Sequence, residues 1–165
     1  MKNRLFLICP ASNVEHFLKR KYHGNCYFLT ALAGVFQFQD KSYTEELIDV
    51  VERERIEEIV VVNDTSCRFM YNVLAKQKGY NTHAEQILID LLIENYSKVM
   101  EKPSITDQVK QLAEVNVRRQ IEELLSINYF LQEVVLQKIS ISGLITSKAA
   151  GEVVEVETLV RELTL

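Results

Sequence analysis

Residues 59–67 read Ile-Val-Val-Val-Asn-Asp-Thr-Ser-Cys. Four β-branched or apolar residues in a row, with no polar alternation, fit a strand buried on both faces, as at the centre of a parallel sheet. Asn63-Asp64-Thr65-Ser66 then closes the strand and opens a helix, expected from about Cys67 to Lys78 with Gly79 as its stop. A buried strand followed by a polar turn and a helix is the repeating unit of an α/β sheet.

The same unit recurs upstream. Leu5-Phe6-Leu7-Ile8 is a second wholly apolar run, ended by Cys9-Pro10. It is followed by Val14, Phe17, Leu18 and Lys21 at helical spacing, in a helix read over residues 13–22 with Ser12 or Asn13 as N-cap. Cys26 to Leu32 is a third strand, bracketed by turn residues at His23-Gly24-Asn25 and Ala33-Gly34. Ser42 or Thr44 can cap the next helix, which carries Leu47, Val50 and Val51 on one face and runs to about Arg55. Downstream, helical periodicity spans His83 to about Met100. Pro103 interrupts it, and it resumes from Ile105 to Leu125, with a short helix at Leu131–Leu136. Ile139 to Ile145 alternates with period two and is answered by Val153–Val156 across a turn near Gly151, which reads as a β-hairpin. The fold class expected is α/β: a central, mostly parallel sheet extended by a carboxyl-terminal hairpin and flanked by helices, in one domain over residues 1–165.

Composition narrows the function classes. The chain has 165 residues, 47% of them hydrophobic, with a net charge of −4, which argues against a nucleic-acid binder because phosphate neutralisation needs concentrated Lys and Arg. The basic cluster Lys19-Arg20-Lys21 reads as the solvated end of a helix. No run approaches the length of a membrane span and no signal peptide is visible, so a cytoplasmic protein is expected. Cys9, Cys26 and Cys67 are three thiols at spacings that suggest no disulfide framework. Cys26 reads as core. His16, His23 and His83 stand outside any ligand-spaced motif.

Three blocks of the carboxyl-terminal third carry a resemblance: Asn116-Val117-Arg118-Arg119-Gln120-Ile121, Lys138 to Ile145 with Gly143, and Gly151-Glu152-Val153. In order and content they resemble the N-V-x-x-Q helix, the G-K-x-x-x-x-G strand and the G-x-V return of the β-class carbonic anhydrases. The earlier blocks fit the same frame. Leu5 to Cys9 resembles the strand that delivers the family's first zinc cysteine, Phe28 to Gly34 its F-V-V-R-N-A-G segment, and Val60 to Cys67 its strand ending in G-H-x-x-C. The family's helical amino-terminal arm has no counterpart here. The resemblance implies a homodimer and a zinc lyase that hydrates carbon dioxide.

The departures fall on the chemistry. The family's C-x-D-x-R reads Cys9-Pro10-Ala11-Ser12-Asn13, so the Asp–Arg dyad positions are Ala11 and Asn13. R-N-A-G reads Ala31-Leu32-Ala33-Gly34. G-H-x-x-C reads Asn63-Asp64-Thr65-Ser66-Cys67, with Asp64 in place of the imidazole. The ligand set that the resemblance implies is therefore Cys9, Asp64 and Cys67, which zinc chemistry permits. Two thiolates and a carboxylate would make the metal a weak acid toward bound water, opposing the hydroxide that the reaction needs. Asp64 can equally serve as an N-cap or pair with Arg68, and Arg68 can fill the old pocket or meet an anion such as bicarbonate. Three functions follow, in this order: a carbonic-anhydrase-like protein without carbon dioxide hydration, acting in binding, scaffolding or regulation; a divergent zinc hydrolyase using Cys-Asp-Cys ligation; and a thiol redox sensor.

Overall fold

The computed structural model describes residues 1–157. β1 (Asn3–Ile8), β2 (Asn25–Thr30), β3 (Glu58–Asp64), β4 (Ser140–Ser147) and β5 (Glu152–Val156) form one sheet in the order β2-β1-β3-β4-β5. The first four strands in that order are parallel, and β5 returns antiparallel along β4 as the expected hairpin. The helices are α1 (Glu15–Lys21), α2 (Lys41–Arg53), α3 (Arg68–Leu74), α4 (His83–Glu94), α5 (Tyr96–Met100), α6 (Ile105–Leu125) and α7 (Asn128–Leu136). Among the described residues no helix is long and apolar enough to cross a membrane.

Unbroken apolar strands imply cover on both faces, and the core divides accordingly. Leu5, Leu7, Ile59 and Val61 point into the larger core, with α2, α3, α4, α6 and α7 supplying Leu47, Met70, Leu88, Leu112 and Phe130 among others. Phe6, Ile8, Val60, Val62 and Leu144 point the other way, onto Val14, Phe17 and Leu18 of the α1 region. Period-two alternation thus sorts one strand's side chains into two cores. The longest helix, α6, lies across β3 and β4. It comes so close that a Cβ at Gly143 would sit 2.4 Å from Val117 Cγ1 and 3.1 Å from Ile121 Cδ1.

Several element bounds differ from the sequence reading for local physical reasons. The first crossover contains a tight helical turn at Pro10–Ser12, and Asn13 adopts a left-handed conformation (φ 50°), so α1 starts only at Glu15 with no side-chain cap. β2 stops at Thr30 because Leu32–Gly34 forms another tight turn, with Ala33 at φ 60°. Asp40 caps α2 by accepting from the Tyr43 N–H, while Thr44 turns its hydroxyl to the Phe38 carbonyl. The helix expected to reach Lys78 ends at Leu74, with Lys76 left-handed. The helix expected over residues 83–100 is two, α4 and α5, divided at Asn95, whose amide donates to the Leu91 carbonyl and competes with the backbone ladder. Cys26 is half-buried, not core. Arg68 is exposed and fills no pocket, and His16, His23 and His83 are exposed.

Candidate functional site

Neighbouring strands decide what meets what. β1 pairs β3 in parallel, Leu7 opposite Val61, so the turns that follow both strands leave the same edge of the sheet side by side. Cys9 stands just beyond β1, and Cys67 at the start of α3 just beyond β3; each is about 1% exposed. Fifty-eight residues apart in sequence, the two thiols are brought near enough for each to shift the ionisation of the other.

The two shifts have opposite signs. The Cys9 thiol is pulled below the ordinary cysteine value, chiefly because Cys67 donates its S–H to it. The backbone N–H groups of Ala11 and Ala33 act in the same direction, against burial, which pushes the value up. The Ala33 N–H is aimed at the Cys9 sulfur at 3.2 Å. The Ser12 hydroxyl is buried outside bonding geometry with any acceptor and adds a weaker pull of the same sign. Cys67 is pushed above its ordinary value because the Cys9 sulfur holds its proton and because it is buried. Of the two, Cys9 is the sulfur better able to carry negative charge.

Asp64 is committed elsewhere. It is 1% exposed, and its Oδ2 accepts from the Ser66 N–H at 3.0 Å and the Ser66 hydroxyl at 2.5 Å. Its Oδ1 accepts from the Thr146 hydroxyl at 2.6 Å and the Lys148 N–H at 3.1 Å. Of the uses the sequence left open, it neither caps α3 nor pairs with Arg68: it closes its own turn and ties the end of β3 to the end of β4. Lys148 extends the tie, its ammonium donating to the Ser12 carbonyl beyond β1. Ala11 and Asn13, which the resemblance puts at the dyad positions, are both exposed.

The fit to zinc follows from these partners. Catalytic zinc sites use three protein ligands and a water. Among the described residues no three His, Cys, Asp or Glu side chains are grouped to hold a metal ion. Two thiols are in place, and a third ligand from Asp64 would have to be taken out of four hydrogen bonds. As it stands, this donor set fits a zinc centre poorly.

Sequence reading missed the network that builds the site. Ala33 reaches Cys9 only because its strained turn is clamped from below. Asn116 donates to the carbonyls of Ala33 and Gly34, at 3.3 and 3.2 Å, and to Asn63 Oδ1 at 2.9 Å. Asn63 also donates to the Ala33 carbonyl, and Gln120 accepts from the Phe36 N–H at 2.9 Å. Asn63, Asn116 and Gln120 are each buried. The N-V-x-x-Q block therefore acts as a loop clamp. Its signal was present, since Asn116 and Gln120 lie one turn apart in the apolar stripe of Leu112, Ala113, Val117, Ile121 and Leu124, where unpaired polar groups are not tolerated. Gly34, at φ +66°, has no room for a Cβ, which would stand 2.5 Å from Asn63 Nδ2. Asn116→Leu is expected to leave the Gly34 carbonyl and Asn63 Oδ1 without this donor and the Ala33 carbonyl with Asn63 alone, destabilising the fold by about 3 kcal/mol. It should also speed alkylation of Cys9 by releasing the Ala33 turn. Chemical denaturation and thiol mass spectrometry would check both.

No protein-family model matches the chain, and no curated protein matches it in sequence. Solved structures do. A β-carbonic anhydrase of Aspergillus fumigatus superposes with a TM-score of 0.80 at 18% identity, over 94% of this chain and 76% of that one. Tetrameric β-carbonic anhydrases of Sordaria macrospora give 0.78 at 14%, over 93% and 80%. The Coccomyxa β-carbonic anhydrase, solved with acetazolamide, gives 0.74 at 18%, over 93% and 71%. The likeness spans nearly the whole of this chain: the protein has the β-carbonic anhydrase fold.

Proposed function

We propose that this protein keeps the β-carbonic anhydrase fold without carbon dioxide hydration and works as a binding or regulatory protein, as a homodimer. The observation that carries the reading is Asp64. The residue at the histidine ligand's position has both carboxylate oxygens engaged by Ser66, Thr146 and Lys148. The reaction needs a metal acidic enough to hold hydroxide near neutral pH, and the dyad positions offer only Ala11 and Asn13. The homodimer is supported by β2, an edge strand with half-buried Tyr27, Phe28 and Leu29 whose outer side pairs with no other strand among the described residues, the kind of edge that proteins cover. Divergent zinc chemistry through Cys9, Asp64 and Cys67 would require the Asp64 turn to open first, and nothing in its hydrogen bonding favours that.

Protein purified without chelator is expected to contain far less than stoichiometric zinc and to leave carbon dioxide hydration at the uncatalysed rate. Stoichiometric zinc that disappears in both Cys9→Ser and Asp64→Ala, together with catalysed hydration, would overturn the reading.

A further inference from the structure

Between the end of α3 and the start of α4 lies a groove of about 650 Å³. It opens at the far end of α3 from Cys67, and neither thiol nor Asp64 lines it. Its walls are of two kinds. Val73 and Ile89 supply apolar surface, while Lys76, Gln77, Lys78 and Asn81 bring two ammonium groups and two carboxamides, all four residues exposed. We infer that this groove binds a mononucleotide, with Lys76 and Lys78 holding the phosphate and the apolar wall and carboxamides holding the nucleoside. The site goes beyond the reading above and stands whether or not zinc is bound at Cys9 and Cys67.

The segment that carries the lysines is built in place. Lys76 and Asn81 are both left-handed, at φ 53° and 57°, a conformation that surrounding contacts must enforce. The enforcing group is Glu85, itself buried. Its carboxylate accepts from the Tyr80 N–H at 2.9 Å, the Thr82 N–H at 3.3 Å and the Thr82 hydroxyl at 3.0 Å. A Cβ at Gly79 would run into the same carboxylate, and the Tyr80 ring leans on buried Phe69 with centroids 5.8 Å apart. A loop fixed in this way loses little freedom when a ligand arrives. Charge sets the ligand's sign. Among the described residues neither Lys76 nor Lys78 is ion-paired with a carboxylate, and against the two ammonium groups the lining sets one carboxylate, Glu85, already filled by its donors. Lysine binds phosphate as a point charge. The first turn of α4 is not the anion holder, because the Glu85 N–H already donates to the Thr82 hydroxyl oxygen at 3.2 Å. Size sets the rest. Small-molecule sites span about 300–1,000 Å³, more than inorganic phosphate needs, and the remaining room pairs an apolar wall for a planar base with the amides of Gln77 and Asn81 for its polar edge.

The test titrates the full-length protein, stripped of metal by a chelator, with AMP and with UMP by calorimetry, beside inorganic phosphate and adenosine. One mononucleotide per chain is expected to bind, about tenfold or more tighter than phosphate or adenosine alone. Lys76→Ala/Lys78→Ala should weaken that binding about tenfold or more. Its melting temperature should stay that of the unaltered protein, since both side chains are exposed. Lys19→Ala/Lys21→Ala, which removes exposed lysines elsewhere, should bind as the unaltered protein does. Bound nucleotide should slow acetylation of Lys76 and Lys78, read by peptide mass spectrometry, and leave Lys19 and Lys21 as reactive as before. No saturable binding of either nucleotide, equal affinity for phosphate alone, or binding unchanged in Lys76→Ala/Lys78→Ala would overturn the inference. Zinc content and carbon dioxide hydration bear on the functional reading alone, since the titration on chelator-stripped protein decides the groove separately.

Discussion

Asp64→Ala is expected to destabilise the protein by about 3–5 kcal/mol, and by the same amount with and without a metal chelator. The substitution leaves the Ser66 and Lys148 N–H groups and the Ser66 and Thr146 hydroxyls without their acceptor. Hydrogen bonds to a charged group contribute about 1.5–3 kcal/mol each, and the hydroxyls can recover part of the loss by rotating. Thr146 cannot turn to solvent, being fully buried, so a large share persists. Asp64→Asn keeps one carbonyl oxygen and should recover about half of the loss. Urea unfolding of the three proteins, each measured with and without chelator, separates a structural carboxylate from a ligand. A penalty that vanishes when metal is removed would mean that Asp64 stabilises by holding the metal.

Gly143→Leu is the second large effect, about 3 kcal/mol or more, with a fall in melting temperature of about 6–12 °C for a chain of this size. Even a Cβ would stand 2.4 Å from Val117 Cγ1. The helix that would have to yield is α6, which also carries Asn116 and Gln120. The mutant should therefore lose stability and loosen the Ala33 turn together, so that calorimetry and Cys9 alkylation shift in parallel. A destabilised mutant with unchanged Cys9 alkylation would show that α6 gives way without disturbing the clamp.

Much of this was legible in the sequence because burial writes itself into composition. Strands covered on both faces must be apolar throughout, so Leu5–Ile8 and Ile59–Val62 announced a parallel sheet. The alternation at Ile139–Ile145 announced the more open edge that a hairpin completes. Element ends were less legible, since they depend on single backbone conformations such as the left-handed Asn13, Ala33 and Lys76. A non-glycine residue adopts these only where surrounding contacts enforce them.

The candidate site divides along the same line. The fold class and the order of the strand and helix units followed from the sequence, which also offered Cys9, Asp64 and Cys67 as candidate site residues. That the ends of β1 and β3, with Cys9 and Cys67, lie side by side was a matter of tertiary structure, because it depends on the two strands being neighbours although β2 lies between them in the chain. Tertiary structure alone also decided where Asp64 turns. A carboxylate binds whatever donors the fold brings within reach, and those on Thr146 and Lys148 arrive from the end of β4 and the residue after it, more than eighty residues away.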